Sequence, residues 1–161
     1  MKHSQTGGAR MAYEDGMLYI MIRKDMDSLN HAGKMVAQGA HAANNAADML
    51  NMNKFGPDNR VAWMAWEKST EQGFGSTIVL GKTFTDPLTI QDIRDTVQAA
   101  ISLGYAGAIV HDPTYPLQDG LTLHLIPVDT CGWIFGSKAG LACVLKYMKL
   151  HPADANPASW Q

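Results

Sequence analysis

The feature that most constrains this chain is a run of small residues with one polar stripe, from Ala32 to Ala47. The polar members of the run recur at helical spacing: Lys34, Gln38, His41 and Asn45. At about 100° per residue they share one side of a helix. The rest of the circumference is mostly Ala and Gly, whose small side chains let a helix lie close against a sheet. The run predicts a packed helix over about 31–52, with a polar stripe that is either a solvated face or a functional site.

A short apolar run precedes this helix. Met17 to Ile22 is continuously apolar and ends at Arg23-Lys24-Asp25. Such a run is typical of a strand that is buried on both faces in the middle of a sheet. Ligands of open α/β sheets bind where strands end. The polar stripe therefore begins at a favourable place for a site.

The pattern along the rest of the chain predicts one α/β domain over 17–150. We expect strands at about 17–23, 76–81, 106–110 and 121–128, and helices at about 31–52, 60–72, 85–104 and 137–150. This order favours a single mixed four-stranded sheet with helices on both faces, in three layers (α/β/α), with an extra C-terminal helix. Residues 1–16 are expected to form a flexible arm and 151–161 a loose tail.

Composition narrows the possible functions. A net charge of −2 is not that of a protein that coats nucleic acid, so any RNA contact must be local. The candidate cations for such a patch are Arg23, Lys24, Lys34, Lys54 and Arg60. No apolar run is long enough to span a bilayer and no signal peptide is evident, which favours a cytoplasmic protein. Cys131 and Cys143 have no partner at zinc-ligand spacing and are interpreted as reduced structural thiols, so no metal site is expected.

A second polar group follows the third predicted strand. Asp112 comes directly after the apolar residues Ala106 to Val110. If the first and third strands are neighbours, Asp112 lies near Lys34 and His41, with a hydroxyl of Thr114 or Thr122 close by. The alternative is that Asp112 only caps a turn before Pro113. Spacing alone leaves both interpretations open.

These residues resemble the type II peptidyl-tRNA hydrolases, the archaeal and eukaryotic kind. The resemblance covers about 17–127 and rests on four segments: Arg23-x-Asp25-Met26, Gly33-Lys34-x-x-Ala37-Gln38-x-x-His41-Ala42, a strand ending in Asp112, and a strand ending in Leu125-Ile126-Pro127. It implies a metal-independent enzyme without a cofactor. The implied reaction is hydrolysis of the ester that joins a peptide, or an N-blocked amino acid, to the 3′ end of tRNA.

The resemblance also implies roles for individual residues. Ester hydrolysis needs a positioned water, a base, and positive charge for the oxyanion. His41 or Asp112 is the base, and the residues leave that choice open. Lys34 stabilises the oxyanion or binds the terminal phosphate, while Gln38 and Thr114 position the ester or the water. The expected substrate-binding residues are Arg23, Lys24, Asp25, Asn45 and Thr122.

Two departures from the family pattern support alternative functions. After Asp112 the family loop normally reads Ala-Gly-Arg-Thr-Gln, whereas this chain has Pro113-Thr114-Tyr115-Pro116, and the chain continues beyond Pro127 into an extra helix. The first alternative is a tRNA- or peptide-binding module of the same fold that has lost turnover. The second is a homodimeric scaffold that uses the C-terminal helix. Trp63 and Trp66 are expected in the core rather than as base-stacking platforms.

Overall fold

The computed structural model describes residues 15–83 and 87–150. Within these ranges it contains five strands and four α-helices: β1 (Gly16–Ile22), α1 (Ala32–Asn51), α2 (Pro57–Glu67), β2 (Thr77–Thr83), α3 (Ile90–Ser102), β3 (Ala106–Asp119), β4 (Thr122–Ser137), α4 (Lys138–Leu145) and β5 (Met148–Leu150). A short 3₁₀ helix at Asp27–Asn30 precedes α1. The expected tail at 151–161 and nearly all of the expected arm lie outside the described residues, and β1 already begins at Gly16.

The predicted mixed sheet is confirmed. Four strands lie in the order β2-β1-β4-β3, with β5 added beside β2. β1 and β2 are parallel, and β4 runs antiparallel to both β1 and β3. The first and third strands are not neighbours, because β4 lies between them, so the condition set for bringing Asp112 near Lys34 and His41 is not met. They still run in the same direction, so Ile22 of β1 and Val110 of β3 both pair with Cys131 of β4.

The ends of three helices differ from the prediction. The helix expected over 60–72 lies earlier, at Pro57–Glu67, with proline in its first turn. The helix expected over 137–150 is shorter: α4 ends at Leu145, and Met148–Leu150 pairs with β2 as an edge strand. Its predicted cap is confirmed, since the Ser137 hydroxyl accepts a hydrogen bond from the Gly140 amide at 3.0 Å. Helix α3 starts later than expected, because Thr89 and Asp92 form a reciprocal capping box. The start proposed at Thr85 and Asp86 lies outside the described residues.

Two buried apolar clusters use alternate residues of β1. Leu18, Ile20 and Ile22 belong to a cluster with residues of α1 and α2. Tyr19 and Met21 belong to a second cluster with residues of α3 and α4. Alternate residues of a strand point to opposite faces of a sheet, which explains this division. Trp63 and Trp66 are 2% and 5% exposed in the first cluster, as expected for core residues.

Strands β3 and β4 extend far beyond the predicted ends. β1 pairs with β4 over 131–137, and within the described part of the chain the remainder of β4 pairs with β3 alone. We call 106–110 with 131–137 the inner half of this pair, and 111–119 with 122–130 the outer ribbon. Gly120 turns the ribbon with a φ of 57°, in the left-handed region that favours glycine. The third and fourth strands therefore continue past their predicted ends at Val110 and Val128, and past Asp112 and Pro127, where the resemblance implied that they end.

Candidate functional site

The site lies where the inner half meets the outer ribbon, and two β-bulges shape it. The register shifts between Val110 and His111, where β4 carries an extra residue, Thr130. It shifts again between Asp112 and Tyr115, where the extra residue is on β3. Bulges interrupt the alternation of side chains and redirect them. As a result, Thr130, Asp112 and Tyr115 all contact the side of the sheet on which α1 and the preceding 3₁₀ turn lie.

Gln38 connects α1 to both strands at this junction. It is 3% exposed, and its amide nitrogen donates to Oδ2 of Asp112 at 3.0 Å. Its amide oxygen accepts a short hydrogen bond from the hydroxyl of Thr130, which is fully buried. The carboxylate of Asp112 accepts hydrogen bonds, so it fixes which end of the Gln38 amide faces it, and the Thr130 hydroxyl donates to the amide oxygen at the other end. The backbone amide of Thr114 donates to the other oxygen of Asp112 at 3.0 Å.

A cavity of about 230 Å³ lies between α1 and β3 beside this hydrogen-bonded group. It is lined by His41, Asn45, Val110, His111, Asp112 and Pro113. The Asn45 side-chain oxygen accepts from the indole nitrogen of Trp133 at 2.8 Å, and its amide nitrogen donates to none of the residues that the structure describes. The cavity can hold an ester group and a few waters, since one water occupies about 30 Å³ of liquid.

Lys34 takes a different position from the one expected. Its ammonium donates to the carbonyl oxygen of Pro116 at 2.8 Å and lies 4.9 Å from the centre of the Tyr115 ring. Tyr115 is buried, and its hydroxyl is 2.8 Å from that of Ser28. Lys34 therefore ties α1 to the outer ribbon, one helical turn before Gln38, and it does not line the cavity.

Arg23 and Asp25 form their own pair at the end of β1. The guanidinium donates to both carboxylate oxygens, at 2.6 and 2.8 Å. A third donor of Arg23 reaches the backbone oxygen of Asp129 at 3.0 Å. Arg23 therefore connects the end of β1 to β4 at the junction. Lys24 is half-buried next to it and has no ion-pair partner among the residues described.

The two threonines proposed for the site have separate positions. Thr114 lies two residues after Asp112, but its contact there is made by its backbone amide and not by its hydroxyl. Thr122 pairs with Asp119 at the tip of the outer ribbon. Asp119 lies seven residues after Asp112, which is roughly 23 Å of strand at about 3.3 Å per residue. The structure therefore does not bring Thr122 to the cavity.

Sequence reasoning missed a group on the other side of the junction. Nδ1 of His111 lies 2.8 Å from Oδ1 of Asp129, and the Arg94 guanidinium lies 2.6 Å from Oδ2 of the same carboxylate. These residues come from three elements, β3, β4 and α3. His111 was next to a residue already singled out, but no spacing in the sequence connects it to Asp129, because a bulge sets that pairing.

Hydrogen bonding and burial shift the pKa values of three ionisable groups near the junction. Hydrogen bonds from Arg94 and then His111 hold the pKa of the Asp129 carboxyl below its ordinary value. The hydrogen bond from Arg23 does the same to the pKa of Asp25. Burial raises the pKa of the Cys131 thiol to about 11, so it stays protonated at neutral pH. Cys131 and Cys143 are both free thiols, as predicted.

The described residues offer no group of three His, Cys, Asp or Glu side chains placed to hold a metal ion. Of the helices in the described ranges, none combines the length and the hydropathy that crossing a membrane requires. A comparison with protein-family models and with curated proteins finds no match to this chain. The functional conclusion therefore depends on the geometry of the junction and on the resemblance in the α1 motif.

Proposed function

We propose that this protein is a hydrolase that cleaves the ester between a peptide, or an N-blocked amino acid, and the 3′ end of tRNA, by activating water without a metal. The observation that carries the proposal is the hydrogen bond from Gln38 to Asp112. It joins α1, which carries the GKxxAQxxHA motif, to Asp112, the carboxylate that the same resemblance implies is part of the site. Both border a cavity that also contains His41 and Asn45.

The cavity has the groups that ester hydrolysis requires. Asp112 is a fixed acceptor, since Gln38 and the Thr114 amide each occupy one of its oxygens. Each oxygen keeps a lone pair that can accept from a water. The Asn45 amide is a donor that can orient the substrate carbonyl. An imidazole in the cavity is the side chain best matched to proton transfer near neutral pH.

The tRNA is held by local rather than overall charge. The chain is slightly acidic, with a net charge of −2. Arg23 and Arg94 are paired with carboxylates, whereas Lys24 has no ionic partner among the described residues. We assign Lys24 to a phosphate near the tRNA 3′ end. Binding through a few phosphates weakens with salt, with a slope set by the number of contacts. A substrate of this kind belongs to the cytoplasm.

The test is release of N-acetyl-aminoacyl groups from tRNA by the purified full-length protein in the presence of a chelator. Asp112→Asn keeps the size of the side chain and is expected to lower kcat/KM by about 100-fold or more, as for loss of an acid–base or positioning group. Asp119→Asn, on the same strand at the exposed tip of the outer ribbon, is the matched control and is expected to leave release unchanged.

The other outcomes assign the other candidate functions. Wild-type protein that binds the charged tRNA while the ester remains intact is a binding module. Protein that neither binds nor cleaves it but elutes as a dimer is a scaffold. The position of Lys34 favours the binding module as the second candidate, because its ammonium is engaged by Pro116 and Tyr115 outside the cavity. Release that is equal in the wild type and Asp112→Asn contradicts the proposed mechanism.

A further inference from the structure

We infer that a second cavity, on a different side of α1 from the proposed active site, binds a small organic cation with an apolar body. The cavity has a volume of about 320 Å³ and lies between α1, α2 and the segment that leads into β2. Aromatic rings line it, and among the described residues Glu67 is the only charged side chain that does so. The inference does not depend on the proposed hydrolysis.

Different side chains of α1 line the two cavities. His41 and Asn45 line the cavity beside Asp112, whereas Ala43 and Ala47 line the second one. At about 100° per residue, the two pairs lie on different sides of the helix. The small side chains of Ala43 and Ala47 explain why room remains between α1 and α2.

Aromatic contacts hold two of the lining rings in place. The ring centroids of Trp63 and Trp66 are 4.4 Å apart, and both rings pack edge-on against Phe135, at 5.1 and 5.9 Å. The indole nitrogen of Trp66 also donates to the backbone oxygen of Ser76 at 3.0 Å. Both tryptophans are therefore fixed before a ligand arrives, so binding costs little side-chain ordering.

A third ring, that of Phe74, also lines the cavity although it is 58% exposed. Two contacts of its loop hold it there. The Phe74 carbonyl oxygen accepts from the Thr70 hydroxyl, and the backbone at Gly75 lies so close to Trp66 that a Cβ there would clash with the indole ring. The loop therefore leaves a large apolar ring exposed beside the cavity. A ligand that covers part of this ring gains the free energy of burying apolar surface.

Glu67 gives the cavity its preference for a cation. It is the last residue of α2, it is half-buried, and it forms no ion pair with the residues that the structure describes. Lys68 follows it but is exposed and does not line the cavity. The faces of aromatic rings attract cations at centroid distances up to about 6 Å, so the rings and the carboxylate favour the same charge. An anion is disfavoured by both.

The volume and the lining together define the ligand. Small-molecule sites usually have volumes of about 300–1,000 Å³, so a cavity of about 320 Å³ takes a small ligand. An ammonium group suits Glu67, and an apolar or aromatic body suits the rings. Two sources present this chemistry: a free amine and the side chain of a lysine.

The experiment is a fluorescence titration of the full-length protein with phenethylammonium and, separately, with its uncharged analogue phenethyl alcohol. The tryptophan emission is expected to change saturably with the cation. The affinity for the cation is expected to be about fivefold higher than for the alcohol, which is the upper range for a partly exposed ion pair. A third probe, Nα-acetyl-lysine amide, identifies the source: tighter binding than phenethylammonium assigns the site to a lysine side chain, and weaker binding assigns it to a free amine.

Two pairs of variants test the lining residues. Glu67→Gln keeps the shape of the side chain and removes its charge, so it is expected to bind the cation about fivefold more weakly and the alcohol equally well. Glu71→Gln, an exposed residue that does not line the cavity, is the matched control. Phe74→Ala is expected to weaken the binding of both probes, because both contact the ring. Val61→Ala, at an exposed position of α2, is expected to leave both unchanged.

Two results overturn the inference. One is a full-length protein whose emission shows no saturable change with millimolar probe. The other is a preference for the cation over the alcohol that survives Glu67→Gln. Loss of this preference in Glu67→Gln, together with its retention in Glu71→Gln, supports the inference. Ionic strength provides a measure that needs no variant, since the preference of the wild type for the cation is expected to shrink as salt is added.

Discussion

The two halves of the β3–β4 pair have the same backbone pairing and opposite surroundings. In the inner half, Trp133, Ile134 and Phe135 are fully buried, and β1 pairs with β4 on its other side. In the outer ribbon, Leu123 and Leu125 are at least 62% exposed, and among the described residues β4 pairs there only with β3. The difference shows that hydrogen bonding between the strands continues into a region where, of the large apolar side chains, only that of Tyr115 is fully buried. The candidate site lies at that boundary, where bulges turn polar side chains inward.

The largest effect is expected from shortening a side chain of the inner half. Ile134→Ala removes a fully buried side chain that packs with α3 and α4 residues. The change is expected to lower the free energy of unfolding by about 2–5 kcal/mol, from lost burial and a residual cavity. Urea unfolding followed by tryptophan fluorescence measures it. A loss below about 1 kcal/mol would mean that the inner half contributes no more than the ribbon does.

The second effect is expected at the boundary itself. Thr130→Val preserves the shape of the side chain and removes the hydroxyl that donates to Gln38. A buried acceptor left without a donor costs about 1–3 kcal/mol, and Gln38 then loses the contact that aims it at Asp112. Thr96→Val is the control, because its hydroxyl donates to a carbonyl of its own helix. Urea unfolding is expected to show the larger loss for Thr130→Val. Equal losses would contradict the role given to Gln38.

The boundary also explains how much the sequence could predict. The apolar run of β1 and the polar stripe of α1 are local patterns, so their elements were placed within one or two residues. Residues Cys131 to Phe135 also have the continuous apolar pattern of a central strand. The resemblance implied that the fourth strand ends at Pro127, so this pattern was not interpreted as part of that strand. The dipeptide Asp119-Gly120 is a common signal for a hairpin turn, and it could have predicted that the third and fourth strands meet there.

The bulges could not be predicted in the same way. A bulge depends on how two distant strands align, and nothing in the letters around Thr130 or Asp112 states that alignment. The sequence predicted that Gln38 and Asp112 belong to one site, but it did not predict the hydrogen bond between them. The pairing of His111 with Asp129 and the contact of Lys34 with Pro116 depend on how β3 and β4 are placed in space, which the sequence does not specify.

The third prediction concerns acid stability at the boundary. The pKa of Asp129 is lowered in the folded protein by Arg94 and His111, so this carboxylate stabilises the fold above the ordinary carboxyl pKa. Its contribution is lost as the pH falls through the lowered folded-state pKa, below about pH 4. Asp129→Asn is expected to be less stable at pH 7 by up to about 1 kcal/mol, since the pairs are partly exposed. Thermal unfolding from pH 7 to 2 is expected to bring the two proteins together; parallel curves would contradict it.

The smallest effect is expected in the outer ribbon. Leu123→Ala removes the same number of carbon atoms as Ile134→Ala, and both residues lie on β4. Leu123 is 63% exposed, however, so little apolar area returns to water on unfolding and no cavity is left behind. The free energy of unfolding is expected to change by less than about 0.5 kcal/mol. The measurement is the same urea titration at a low protein concentration and again at a tenfold higher one. If Leu123→Ala is clearly destabilising only at the higher concentration, the ribbon is covered by a second copy of the chain. If it is destabilising at both, the ribbon is part of the core, and the contrast between the two halves of the pair is wrong.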